Sequence, residues 1–221
     1  MTEPSPLDLT RASYDTVAAD YAVLLADELA DKPYDNAMLA AFAGLVTTGG
    51  GGPVGDLGCG PGRVTAVLRD LGLTAFGIDL SPGMIAVARQ TYPDLDFAVG
   101  SMSALDVADD SLAGALAWYS LVHTPPEQLP RCFAEFHRVL APGGHLLMAF
   151  KVGDGCVRLE RAYGHAVTLD VHRFAPDAVA GMLVKAGFRV QARLVREADK
   201  REKTPQALFL MVKPETAREP A

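Results

Sequence analysis

Basic residues are in the minority, and long apolar runs are missing altogether. Lysine and arginine total 20 against 27 aspartates and glutamates, for a net charge of −7 and an isoelectric point near 5.2. Proteins that bind nucleic acid draw much of their affinity from neutralising phosphates, and no Lys/Arg cluster suited to that is present. The expected partner is a small molecule, with no nucleic acid. No stretch approaches the ~20 apolar residues that span a bilayer, and the opening MTEPSPLDLT has no basic region followed by an apolar one. Neither membrane association nor secretion is expected, and the chain reads as cytoplasmic. Cysteine is scarce too: Cys59, Cys132 and Cys156 are odd in number and lack metal-type spacing, which fits free thiols in a reducing compartment.

What the chain does have is enough apolar residue, 49% of 221, to bury one large core in a single domain. Helical spacing runs over residues 8–30 and again over 34–46, and TTGGGGP then breaks the chain. After it, strands and helices alternate. Strands are expected at 54–57, 75–79, 97–100, 112–118 and 145–150, with helices at 62–71, from Pro82 behind a Ser81 cap, and at 126–140. Such repeated crossovers demand a parallel sheet covered on both faces. A helix at 176–186 and two closely joined, hence antiparallel, strands at 188–195 and 207–212 complete the pattern. Their connector EADKREKTP reads as a solvated turn, residues 151–174 show weak periodicity that also suits an amphipathic helix, and the terminal KPETAREPA looks frayed.

The chemistry concentrates in VGDLGCGPGR, an apolar strand ending in Asp56 and running into Gly58, Gly60 and Gly62, and in FGIDL, a second strand ending in Asp79. The glycines allow a tight turn and close approach of a ligand to the main chain. A dinucleotide site wants G-x-G-x-x-G, and its third glycine would fall at Arg63. No pyrophosphate cradle is therefore expected, whereas Asp56 suits a cationic group and Asp79 a ribose diol. Cys59, inside the loop, reads as a small packing residue.

These paired motifs resemble the S-adenosylmethionine (SAM) site of the class I methyltransferases. Together with YDTVAADYA, GSMSAL, ALAWYSLVHTPPEQL, LAPGGHLLMAF and HRFAPDAVAGMLVKAGF, they make the chain resemble a small bacterial SAM-dependent methyltransferase along nearly its whole length. The resemblance implies an α/β, Rossmann-like fold with a seven-stranded sheet ordered 3-2-1-4-5-7-6, strand 7 antiparallel, and SAM over the carboxyl ends of strands 1, 2 and 4. It further implies a helical lid over residues 1–48, a core over 53–213 and an acceptor-pocket insertion at 151–174.

Residue by residue, it assigns Asp56, Gly58, Gly60 and Gly62 to the methionine end of SAM, Asp79 to the ribose hydroxyls, and Leu80 and Met84 to the adenine. Tyr14 and Tyr21 would close over the methionine carboxylate and Arg63 would pair with it; equally, the tyrosines suit the core face of a helix and Arg63 a solvated position. Many relatives read G-D-A after strand 3, but here Gly100-Ser101-Met102-Ser103 follows, leaving Ser101 or Ser103 as a weaker polar partner and Met102 to cover the ring.

At the exit of strand 4 the chain reads Trp118-Tyr119-Ser120-Leu121-Val122-His123. The D/N-P-P-Y/F tetrad of base-amine methylation is absent, and so are the acids and Asn that hold Mg²⁺ in catechol-type enzymes. Tyr119 joins the expected cofactor contacts. Methyl transfer asks the protein to align donor and acceptor and remove a proton, and His123 is the candidate base, its alternative being a buried histidine that caps the loop. The basic bias of 151–174 suits an anionic acceptor. Aminopropyl transfer on the same fold, or SAM binding without catalysis, are the other functions this pattern permits.

Overall fold

The computed structural model describes residues 5–215; the last six residues of the stretch expected to fray, 216–221, lie outside that range. Helix α1 (Pro6–Leu24) starts at a capping box in which the Ser5 hydroxyl accepts from the Asp8 N–H and the Asp8 carboxylate accepts from the Ser5 N–H, so two otherwise orphaned donors are satisfied. Helix α2 (Pro33–Thr48) follows a run of turns. Then come β1 (Pro53–Leu57), α3 (Arg63–Asp70), β2 (Thr74–Asp79), α4 (Pro82–Thr91), β3 (Asp96–Val99) and β4 (Leu112–Trp118). Helix α5 (Leu129–Val139), β5 (Leu140–Lys151), β6 (Cys156–Ala162), β7 (His165–His172), α6 (Pro176–Lys185), β8 (Arg189–Arg196) and β9 (Gln206–Val212) complete the chain.

Seven strands form one sheet in the order β3-β2-β1-β4-β5-β9-β8, with β9 antiparallel to both its neighbours. This is the expected topology. Successive residues of β5 face opposite ways, so Leu146, Met148 and Phe150 pack with α5 and α6, while Leu147 and Ala149 pack with α2 and α3. Within the expected lid segment, α2 is thus a layer of the sheet, through Leu39, Phe42 and Val46. Helix α1 instead lies across α4 and β7, where Val17 and Ala18 meet Met84, Val167 and Leu169. No helix among the described residues is long and apolar enough to cross a membrane.

Three expectations need correcting. The helix expected through residue 30 stops at Leu24, because the next turn is claimed by tertiary contacts: Leu29 is buried and Glu28 is held by Arg63. Residues 151–174 are not an amphipathic helix but the β6–β7 hairpin, closed by Tyr163 (φ 51°) and Gly164 (φ 86°), the two positive-φ residues of a tight hairpin turn. The connector after β8 is not simply solvated, since Glu202 is drawn inward onto Lys32 and Arg196.

Candidate functional site

Parallel strands leave their carboxyl ends facing a crevice where the order reverses, and in this sheet β1 is flanked by β2 and β4. There a cavity of about 800 Å³ opens, lined by every residue expected at the site except Gly62. Gly62 shapes the loop from behind. It takes φ 81° as the N-cap of α3, and a Cβ there would lie 2.6 Å from the Phe97 ring. Gly58 (φ 79°) has the same constraint, because a Cβ would overlap the Ser120 side chain.

Asp56 is fully buried. The Thr65 hydroxyl donates to its Oδ2 at 2.7 Å, while Oδ1 has no partner among the described residues. Burial pushes the carboxyl up to about 7, against the Thr65 bond and with further help from the Asp79 charge. Asp79 accepts from the Gly60 N–H at 2.8 Å and the Ser81 N–H at 2.9 Å, which fixes its orientation at the tip of β2. Burial raises its pKa as well, partly offset by those two bonds. Leu80 and Met84 follow it along the cavity wall, and Ser101 and Met102 face it from beyond β3, the Ser101 hydroxyl bonded to Ser103 at 3.0 Å.

Arg63 divides its guanidinium. Nη2 donates to Glu28 at 2.6 Å, whereas Nη1 is buried without a partner among the described residues. From Glu28 a chain of charges runs through Lys32 (3.6 Å) to Glu202 (2.6 Å), these three lining the cavity, and on to Arg196 and Asp35. Tyr119, at the close of β4, is held at φ 53°, a strained conformation for a residue with a side chain. Its hydroxyl points to Asp35 at 3.5 Å, and burial raises its pKa.

Tyr14 and Tyr21 meet edge to face, with ring centroids 5.9 Å apart. The Tyr14 hydroxyl lies 2.7 Å from His123 Nε2, and His123 Nδ1 lies 2.7 Å from the Asp170 carbonyl on β7. A carbonyl can only accept, so Nδ1 carries the ring proton and Nε2 accepts from the Tyr14 phenol. Burial pulls the His123 pKa down to about 4 and raises that of Tyr14 far above its ordinary value. His123 therefore presents no unengaged nitrogen to the cavity.

Several contributors carried no sequence signal strong enough to find. Asp15 Oδ1 accepts from the Ser81 hydroxyl at 2.6 Å and the Gly83 N–H at 2.8 Å, pinning α1 to the start of α4. Among the described residues, Trp118 Nε1 and Ser120 Oγ are buried without partners. With Asp56 Oδ1 and Arg63 Nη1 they make four orphaned polar atoms, all on residues lining the same cavity.

Residues 54–144 match the family described as "Methyltransferase domain". The chain is 37% identical over 90 residues to the demethylmenaquinone methyltransferase of Chlorobaculum parvum, covering 40% of this chain and 36% of that protein. To the malonyl-[acyl-carrier protein] O-methyltransferase of Pectobacterium atrosepticum it is 28% identical over 144 residues, covering 65% and 53%. These matches span between about a third and a half of the curated relatives' length. Among solved structures, magnesium protoporphyrin IX methyltransferase from Synechocystis PCC 6803 with bound SAM superposes with a TM-score of 0.73 at 14% identity, covering 96% of this chain and 99% of that one. The [4+2]-cyclase SpnF superposes at 0.70 with 17% identity, covering 98% and 99%, so the fold alone does not set the reaction.

Proposed function

We propose that this chain, whose residues 54–144 belong to the class I SAM-dependent methyltransferase family, transfers a methyl group from SAM to an oxygen or nitrogen of a small-molecule acceptor. The observation that carries the reading is the convergence of Asp56 Oδ1, Arg63 Nη1, Trp118 Nε1 and Ser120 Oγ on one cavity. Leaving a buried polar atom unpaired costs about 1–3 kcal/mol, so four of them around one space describe a polar ligand's site.

The residues fit the amino-acid and nucleoside ends of SAM. Asp56 Oδ1 would hold the ammonium, Arg63 Nη1 with Tyr14 and Tyr21 the carboxylate, Asp79 the ribose hydroxyls, and Leu80, Met84 and Met102 the adenine. SAM, when bound, supplies a methyl group already activated on a sulfonium. The protein's part is alignment and the acceptor's proton. As the acceptor's O–H or N–H gives its proton to the Tyr14 oxygen, the phenolic proton passes to His123 Nε2, whose tautomer the Asp170 carbonyl fixes. Tyr14 then borders both halves of the cavity. Aminopropyl transfer would ask for carboxylates at the acceptor end, and Lys151 and Arg173 stand there instead. A cytoplasmic setting and an acceptor of some negative charge complete the reading.

Titration calorimetry tests it first. SAM and S-adenosylhomocysteine should bind and NAD should not, and Asp79→Ala should weaken SAM by about 1–3 kcal/mol. NAD binding without SAM binding would end the proposal, and SAM binding with no turnover on any acceptor would leave a non-catalytic binder.

A further inference from the structure

Resting on the methyltransferase reading, we infer that the acceptor is an amphipathic acid, its carboxylate or phosphate held by Lys151 and Arg173 and its apolar body laid along the β6–β7 hairpin. The hairpin register pairs Val157 with Val171 and Leu159 with Leu169, and all four side chains line the cavity. Between them on the opposite face, Arg158 and Asp170 pair in a bidentate ion pair at 2.8 and 2.6 Å. The hairpin thus turns an apolar stripe inward and its charges outward. Val157 is 40% exposed although it borders a cavity, so the stripe has apolar area still to cover.

The cations sit at the hairpin's root. The Phe174 N–H donates to the Lys151 carbonyl and the Arg173 N–H to the Gly155 carbonyl, so the end of β5 and the end of the hairpin lie side by side. Both side chains are half-buried and line the cavity, and among the described residues neither has a carboxylate within ion-pair distance. On the same cavity, Arg63 has Glu28, and Lys32 has Glu28, Asp199 and Glu202. Burial lowers the Lys151 pKa, with nearby Arg173 and Lys32 acting the same way and Glu202 and Glu28 opposing. Glu202 is already engaged by Lys32 and Arg196, and Glu28 by Arg63. Two partly desolvated positive charges without a counter-ion are unfavourable until an anion joins them. Lys151 and Arg173 line the same cavity as Tyr14 and His123, so an anion held by them shares that space with the Tyr14–His123 pair.

Calorimetry on protein saturated with S-adenosylhomocysteine, using octanoate, octyl phosphate, octanol and acetate as probes, decides the matter. Octanoate or octyl phosphate should bind at least ~10-fold tighter than octanol, and whichever is preferred names the headgroup; acetate should bind weakest of all. Lys151→Met and Arg173→Met should each erase most of that preference, and Lys151→Gln and Arg173→Gln serve where a methionine variant does not fold. Octanol binding as tightly as octanoate and octyl phosphate, or a preference that survives the paired glutamine variant, overturns the inference while leaving the methyltransferase reading intact. Failure of S-adenosylhomocysteine itself to bind overturns that reading, and this one with it.

Discussion

Arg63 Nη2 donates to Glu28 Oε2 at 2.6 Å, while the other terminal nitrogen of the same guanidinium, Nη1, is buried with nothing to bond. One prong fixes the side chain, and under the proposed function the other meets SAM. Arg63→Ala should therefore weaken SAM by about 1.5–3 kcal/mol, as expected for a hydrogen bond to a charged group. Glu28→Gln, which keeps an acceptor for Nη2, should cost clearly less. Calorimetry on both variants checks the order, and equal losses would reduce Arg63 to a structural tie.

His123→Ala should lower the turnover number by about 10²- to 10⁴-fold with little change in SAM affinity. The pH profile is the finer readout. A free histidine would lose its basic form near pH 6.5, but the buried ring titrates near 4, so with SAM saturating, and Asp56 therefore already paired, the acid limb of kcat/KM for the acceptor should fall near pH 4. A limb at 6.5, or near-normal turnover in the variant, would remove His123 from the chemical step.

Asp56 gives a stability test that needs no acceptor. Its carboxyl titrates near 7 when folded and near 3.9 when unfolded, so between these values the folded state holds more protons and stability falls as pH rises. His123 acts oppositely from about pH 4 to 6.5, adding stability as pH rises. Comparing Asp56→Asn with the parent cancels the histidine. The parent should lose stability relative to the variant from pH 4 to 7, followed by thermal melting without ligand, and a constant difference would mean an ordinary Asp56.

Besides the packing of Val17 and Ala18, helix α1 reaches the rest of the protein through Tyr14 on His123, Asp15 on Ser81 and Gly83, Asp20 on His165 at 2.6 Å, and the Ser13 hydroxyl, which accepts from the Thr168 N–H at 3.0 Å. None of these touches the sheet. Deleting residues 1–24 should leave a folded core by circular dichroism and weaken SAM by about tenfold or more. Unchanged SAM affinity in the truncated protein would make α1 scaffold and not lid.

The sheet was legible because its inner strands are short apolar runs near glycine, proline or an acid, a pattern that β8, RVQARLVR, lacks, and because Ser81-Pro82 states the cap of α4 outright. The glycine loop was legible for the same reason: its residue types answer to backbone geometry. The hairpin was not. Its alternation Val157-Arg158-Leu159 is broken by a register shift between Leu159 and Arg161, which moves the later residues out of phase. Asp15, Glu28, Lys32 and Glu202 were invisible for a different reason, since each is an ordinary surface-type residue whose partner lies far off in the chain. The Tyr14–His123 bond joins residues 109 positions apart, and neither local pattern announces the other.

The wall of charges at the end of the cavity spans a similar distance, with Lys32 meeting Glu202 across 170 residues. Local helices and hairpins form early and cheaply, but a contact between such distant segments must wait for most of the intervening chain to be in order. During synthesis, the first helices emerge long before the β8–β9 loop that completes their ionic partners. The wall is thus complete only when both ends of the chain are in place, and any ligand that binds the finished cavity and not the unfolded chain holds the protein folded by mass action.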